Sequence, residues 1–344
     1  MNIDISVVIT FYRDGKFLGE AIDSVLRQTI GNYEIVLVDN NADEETLVIA
    51  QTYRKKFPER IRLVSESVQG ISSARNKGIL QSRGKFIALM DGDDMMFPNR
   101  LEKQLEAALA HPDAPLISSS YETFVMENDE KVHFLKQKDI HLDWIDMIFR
   151  SQENPFFREF YVPLPSTLFF DRKKILESGG FDPFFNGRAG EEIDFALTNW
   201  KVGKFFHLDD SLVSYRAKSR NLKNVSTKSW LQRTERQDRL FRKLKDLSSN
   251  YPGFPLNDSL RRLMETWLRE TALSYFSCLN GKEYGRKLLL RSLSVNPSSL
   301  ETWKLVIKSF FPTKFYPTIF WFKEWGSLPT RVDHEFFVNN LFGN

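Results

Sequence analysis

The sequence predicts an α/β domain built on a mainly parallel sheet, followed by a helical C-terminal region. Three observations carry this expectation. Short runs rich in Val, Ile and Leu alternate with helical patterns through the first third of the chain. Strands this apolar suit burial on both faces, and a helix between each pair serves as a crossover between parallel strands. From about residue 225 onward the pattern turns helical. With 344 residues and an apolar fraction of 42%, the chain can bury one large core or two ordinary ones.

The first strand is "DISVVIT" (4–10), and Phe17, Leu18, Ala21, Ile22, Val25 and Leu26 then fall on one helical face. Strands follow at "YEIVLVD" (33–39), "IRLVSE" (61–66) and "KFIALMD" (85–91). In "QGISSARNKGI" (69–79) Gly70 precedes a helix, and Leu101, Leu105, Ala108 and Leu109 mark another. Between about 112 and 220, strand-like runs ("PLISSSY", "STLFF", "SLVSYR") alternate with loops rich in Pro, Gly and Phe, such as "SQENPFFREFYVPLP" and "GGFDPFFNGRAG". Substrate loops have this character. Helical segments follow at "WLQRTERQDRLFRKLKDL", "DSLRRLMETWLRETALSYFSCL", "GKEYGRKLLLRSL" and "SLETWKLVIKSFF", separated by Gly, Pro and Asn breaks. The expected parts are 1–115, 116–224 and 225–344.

Composition narrows the function classes. Cys278 is the sole cysteine, so an intrachain disulfide or a cysteine-based zinc site is excluded, which suits a reducing compartment. The opening "MNIDISVVIT" lacks a basic n-region, and no apolar run approaches about 20 residues, so a cytoplasmic location is expected. The formal charge of +3 hides an asymmetry: residues 225–344 carry +8, and the remainder −5. The basic tail is read first as a solubility feature, without a nucleic-acid partner. The aromatic, basic stretch Ser309 to Trp325 also resembles an interfacial segment, giving a peripheral contact with the membrane's inner face. Pro312 and Pro317 break any long helix there, so packing on the body is the competing reading.

In open parallel sheets ligands bind beyond the carboxyl ends of the strands. Those ends are polar here: Thr10, Phe11 and Tyr12, then Asp39, Asn40 and Asn41, then Asp91, Gly92, Asp93 and Asp94. Three adjacent carboxylates repel, and a hard divalent ion, Mg2+ or Mn2+, completed by substrate phosphates relieves the repulsion. An Asx-stabilised solvated turn would explain the same cluster. A calcium loop fits less well, because Met95 and Met96 occupy its fifth and sixth positions. Arg75 can pair with phosphate or stack on a base. A second cluster, Glu191, Glu192 and Asp194, begins a helix, where acids also favour the macrodipole. Its functional reading is a general base. Phosphate loops of the G-x-x-x-x-G-K-[ST] or G-x-G-x-x-G type are missing from the sequence.

Over residues 3 to about 220 the chain resembles the family 2 glycosyltransferases. The segments that carry the resemblance are "ISVVITFYRDGKFLGEAIDSVLRQT", "YEIVLVDNN", "GISSARNKGI", "FIALMDGDDMMFPNRLEKQ", "STLFFDRKKILESGGFDP" and "GEEIDFALTNWKVGKFFHLDDSLVSYR", in the family's order. The resemblance implies a GT-A fold, a nucleotide-sugar donor and inversion at the anomeric carbon. It implies that Thr10, Phe11 and Tyr12 line the nucleotide pocket, that Asn40 lies at the base edge beside Asp39, and that Arg75 holds base or diphosphate. Asp91, Gly92 and Asp93 would face nucleoside and ribose. Asp94, with Asp93, would bind the metal, and Glu192 would be the base, with Glu191 and Asp194 as its rivals. The acceptor would be a glycan or a lipid-linked molecule in surface polysaccharide synthesis, and UDP- or dTDP-sugars are the favoured donors. Thr-Phe-Tyr-Arg replaces the family's Pro-x-Tyr-Asn, Asn40 replaces a common aspartate, Glu191-Glu192 replaces Glu-Asp, and "YRAKSRN" lacks the frequent histidine. A sugar nucleotidyltransferase would share the α/β half, and a degenerate nucleotide-sugar binder would share the altered residues.

Overall fold

The computed structural model describes residues 3–127, 130–136, 164–188, 190–203, 205–216 and 282–310, with scattered helical positions between 239 and 272. The chain forms two compact units: residues 1–149 with 160–219, and residues 150–159 with 220–344. Strands from residues 1–115 and 116–224, expected as two halves of one domain, share one sheet. The segment "NPFFREFYVPLP" up to Pro163, the residues after Arg216 in "YRAKSRN" and most of Ser309 to Trp325 lie outside the described residues.

In the first unit the strands are β1 (Ile5–Phe11), β2 (Tyr33–Asp39), β3 (Ile61–Ser65), β4 (Phe86–Asp91), β5 (Met95–Met96), β6 (Leu116–Glu127), β7 (Glu130–Lys136), β8 (Phe169–Asp171) and β9 (Phe206–Arg216). The helices are α1 (Lys16–Leu26), α2 (Glu44–Lys56), α3 (Ile71–Gln81), α4 (Arg100–Ala110), α5 (Arg172–Ser178) and α6 (Glu191–Trp200). The sheet order is β3-β2-β1-β4-β8-β6-β9-β5, with β7 paired to β6. β3, β2, β1 and β4 are mutually parallel, whereas β8 runs antiparallel to both β4 and β6. The sheet is therefore mixed, and its parallel half is the half that the apolar runs predict.

Burial on both faces explains why those runs are continuous. Ile5, Val7, Ile9 and Phe11 of β1 pack into one core with Leu18, Ile22 and Val25 of α1 and Leu101 of α4. Val8, Val36 and Val38 face the other core with Ala74 and Ile79 of α3, Ile175 of α5 and Phe195 of α6. α3 lies so close to the sheet that a Cβ on Gly78 would stand 2.2 Å from Val8 Cγ1. α1 and α4 cover one face, and α3, α5 and α6 the other.

In the second unit α7 (Lys282–Val295) packs against α8 (Leu300–Lys308). Ser299 caps α8 by accepting from the Thr302 N–H. Buried Glu265 accepts from Ser299 Oγ at 2.8 Å, from Thr302 Oγ1 and from Arg269 at 2.9 Å, tying the capped helix end to a neighbouring segment.

Gly78→Ala adds a methyl group against stiff, β-branched Val8 in a filled core. It is expected to cost about 1–3 kcal/mol, typical of overpacking, read as a lower urea midpoint at unchanged m-value.

Candidate active site

The parallel register aligns the strand ends that bear the polar residues. Phe11 lies opposite Asp39, and Thr10 opposite Asp91. From β1 the chain moves to β2 on one side, and after β3 it crosses back to place β4 on the other. This change of direction opens a crevice at the carboxyl ends of β1 and β4. A cavity of about 320 Å³ lies there, lined by Thr10, Phe11, Tyr12, Asn40, Asp91, Gly92 and Asp93, all expected from the sequence. Arg13, Asp14, Gln69, Gly70, Ile71 and Ala74, which sequence reasoning did not single out as ligand-facing, complete its lining. Arg13 and Asp14 simply continue the loop after Tyr12, and that adjacency was the available signal.

Each wall has a local cause. Gly70, at φ +139° before α3, donates its N–H to Asn40 Oδ1 at 2.7 Å. A Cβ there would stand 2.2 Å from the Asn186 side chain, so only glycine fits. Gly92 is needed because a Cβ would meet Asp14 Oδ2 at 2.8 Å and Phe11 Cβ at 3.0 Å. Asn40 Nδ2 donates to the carbonyls of Glu66 and Val68 at 2.9 and 2.8 Å, which fixes the β3–α3 loop to the end of β2. Thr10 is buried, and its Oγ1 has no hydrogen-bond partner. A buried hydroxyl left unsatisfied on a cavity wall marks a place for a polar ligand atom.

Arg75 does not line the cavity but stands behind it. Only 2% exposed, it donates Nη2 to Asp91 at 2.9 Å and Nη1 to Glu191 at 3.0 Å, and packs 5.3 Å from the Phe181 ring. Burial alone would lower the pKa of its guanidinium, but Asp91 and Glu191 raise it overall. The two acidic clusters found in the sequence are thereby joined through one cation.

The structure redistributes the carboxylates. Asp94, expected as a metal ligand, is fully buried and does not line the cavity. Its Oδ2 accepts from Ser166 Oγ at 2.5 Å and its Oδ1 from the Arg216 N–H at 3.0 Å, so both oxygens are engaged inside the fold. Burial, then the charges of Asp91 and Asp93, raise its pKa well above the usual carboxylate range. Asp194, a rival for the base, is likewise buried. Asp39, expected beside the base, accepts from the Ala42 N–H at 2.8 Å and is not part of the lining. Glu191 is held by Arg75. Half-buried Glu192 is the remaining acid of its cluster; burial pushes its pKa up to about 8, and the charge and hydrogen bond of Glu191 push the same way.

A divalent ion suits this donor set only in one form. Among the described residues, no group of three or more His, Cys, Asp or Glu side chains could hold a metal ion by itself. Asp93 with Asp91 on a cavity wall fits an ion of the Mg2+ or Mn2+ type, which keeps waters and takes substrate phosphates as ligands.

An open sheet of this order, with its polar cavity at the switch point, is the GT-A architecture of glycosyltransferases. Residues 6–175 match the family model described as Glycosyl transferase family 2. The match identifies residues 6–175 as a family 2 glycosyltransferase domain. A Bacillus subtilis relative described as uncharacterized glycosyltransferase EpsJ is 38% identical over 104 residues, 30% of each protein. The minor teichoic acid biosynthesis protein GgaB of the same organism is 34% identical over 106 residues, 30% of this chain and 12% of GgaB. An uncharacterized glycosyltransferase of Methanocaldococcus jannaschii is 28% identical over 220 residues, 63% of this chain and 72% of that protein. The chain thus spans about a third or less of the two B. subtilis proteins. S. aureus TarS 1–349 has a similar fold, with a TM-score of 0.55 at 14% identity over 90% of this chain and 91% of that one. So does the Pyrobaculum calidifontis mannosyltransferase solved with GDP-Man and Mn2+, with a TM-score of 0.52 at 14% identity over 93% and 84%.

The raised pKa of Glu192 has a consequence for stability. In the unfolded chain this group ionises near pH 4.5, but in the folded protein near 8, so its contribution is fully present below 4.5 and is lost as pH rises through 8. Glu192→Gln is therefore expected to raise the Tm relative to the parent at pH 8.5, and to leave it unchanged at pH 4.5, in paired thermal melts.

Proposed function

We propose that the protein is a metal-dependent inverting glycosyltransferase that moves a hexose-type sugar from a nucleotide sugar to a glycan or lipid-linked acceptor in surface polysaccharide synthesis. The observation that carries this reading is the cavity at the ends of β1 and β4, which presents the unpartnered Thr10 hydroxyl beside Asp91 and Asp93. The role for which the relative GgaB is named, minor teichoic acid biosynthesis, supports the polymer assignment. We favour a UDP- or dTDP-sugar as donor. Asn40 Oδ1 accepts from Gly70 N–H, and its second lone pair, met only by a 3.4 Å contact from exposed Gln69, suits a pyrimidine N3–H.

Asp93 would hold the divalent ion with help from Asp91, in place of Asp94. When bound, Mg2+ or Mn2+ supplies Lewis-acid stabilisation of the leaving diphosphate. Arg75 holds Asp91 in place behind the donor. Glu192 takes the proton of the acceptor hydroxyl as its oxygen attacks the anomeric carbon from the side opposite the diphosphate, which inverts the configuration. A base with a pKa near 8 gives kcat/KM an ascending limb up to about pH 8. With UDP-sugars screened at several Mn2+ concentrations, Glu192→Gln is expected to lose about 10²–10⁴-fold in kcat with little change in UDP affinity. Asp93→Ala should abolish the metal response, and Asp94→Ala should act mainly on stability. Full turnover in Glu192→Gln would remove the proposed base, and a metal response surviving in Asp93→Ala would remove the proposed ligand.

We also propose that the second unit contacts an anionic bilayer surface. α8 exposes Leu300, Trp303 and Ile307, with Phe310 one turn beyond, while Thr302, Val306 and Ser309 are buried. Residues 282–310 carry a net charge of +4, complementary to anionic headgroups. Among the described residues, no helix is long and apolar enough to cross a membrane. The full chain is expected to co-sediment with phosphatidylglycerol vesicles and not with phosphatidylcholine vesicles, and Ile307→Ser with Phe310→Ser to release it at unchanged Tm. Concentration-dependent dimerisation lost in that double variant, without vesicle binding by the parent, would assign the face to a second copy instead.

A further inference from the structure

Arg216 ends β9, 122 residues away from Asp94 in the chain, yet it grips the acidic turn at two points. Its backbone N–H donates to Asp94 Oδ1 at 3.0 Å, and its Nε donates to the Asp93 carbonyl at 2.9 Å. Its Nη2 donates to Glu20 of α1 at 2.7 Å, which holds the guanidinium in the orientation that Asp93 requires. The guanidinium lies between two rings, 4.0 Å from the Phe17 centroid and 4.6 Å from that of Phe124, and the side chain is 3% exposed. Ser166 holds the same turn from the other side, accepting from the Asp91 N–H at 3.1 Å while donating to Asp94.

We propose that Arg216 is a positioning residue for the metal: it fixes the backbone that follows the Asp93 Cα, while Ser166 holds the turn at Asp91, so that the Asp93 carboxylate stays on the cavity wall. The proposal rests on the metal reading given above and adds a residue that touches neither donor nor ion. The carbonyl of residue 93 and the side chain of residue 94 are both anchored to Arg216, and the Asp91 N–H to Ser166, so the backbone that carries the Asp93 side chain has little freedom. A fixed carboxylate binds an ion without first losing conformational entropy. The role needs a planar fork that can donate in two directions while stacked between rings, which lysine does not provide.

The test is Mn2+ affinity of the full chain, measured by water-proton relaxation with saturating UDP and, in parallel, GDP, beside Tm and nucleotide affinity without metal. Arg216→Lys is expected to weaken Mn2+ by about 10-fold or more, as loss of a group that orients a ligand does, with metal-free nucleotide affinity unchanged. Glu20→Gln, which leaves Arg216 and its stacking in place but loosens the fork, should produce a smaller loss of the same kind. A drop in Tm with parental Mn2+ affinity in both variants would make Arg216 a purely structural residue and overturn the proposal. Failure of the parent to bind Mn2+ with either nucleotide would instead sink the metal reading, and this proposal with it. The parent's titration separates that failure from the first.

Discussion

A buried guanidinium is costly unless it is paired and hydrogen-bonded, and the position of Arg75 makes that requirement shape the site. Asp91 ends β4 and Glu191 begins α6, so pairing both with one residue of α3 joins the cavity edge of the sheet to the helix that carries the candidate base. Removing the cation would leave two carboxylates facing each other at low exposure, which costs several kcal/mol. The Asn76 side chain reinforces the same junction. It donates to the Phe181 carbonyl at 2.7 Å and accepts from the Phe181 N–H at 2.9 Å, so the loop before α6 is held to α3 by a reciprocal pair.

The acidic turn can be understood once this cation is in place. Three carboxylates within four residues need not mean three charges competing for one ion. Asp91 is balanced by Arg75, and Asp94 is enclosed with Ser166 and the Arg216 N–H, where burial favours its neutral form. Asp93 thus faces the cavity with weaker repulsion than the sequence implies. One carboxylate with a partner nearby is what a water-bearing ion shared with a diphosphate requires.

Much of the fold was legible because burial on both faces writes itself into a strand as an unbroken apolar run, and β1, β2 and β4 carry such runs. The site was legible at strand ends for the same reason: polar residues that follow a buried run have few places to be other than the sheet's edge. What remained hidden was direction. Asp93 and Asp94 are neighbours of identical chemistry, and the contact that separates them comes from Ser166 and Arg216, residues remote in the chain. Asn40 raised the same difficulty, since nothing local shows that its amide holds the loop at Glu66 and Val68. The antiparallel insertion of β8 between β4 and β6 was hidden too, because three residues give no periodicity.

The Arg75 pairing also bears on the strength of the proposed base. If Arg75 met Glu192 directly, its charge would stabilise the carboxylate and lower its proton affinity. The ion pair goes instead to Glu191, and Arg75 acts on Glu192 only as the smallest of the influences on it, against burial and the neighbouring acid. Glu192 therefore keeps a high affinity for a proton while remaining partly exposed. A sugar hydroxyl is a very weak acid, and proton transfer from it late in bond formation gains from every increment in the basicity of the acceptor, until the base is no longer ionised at working pH. Substituting glutamate for the family's usual aspartate at this position lengthens the arm by one methylene. The two neighbours thus differ in partner, Glu191 pairing with the buried cation and Glu192 with Glu191, which in the proposed reaction would separate neutralising the cation from accepting the proton.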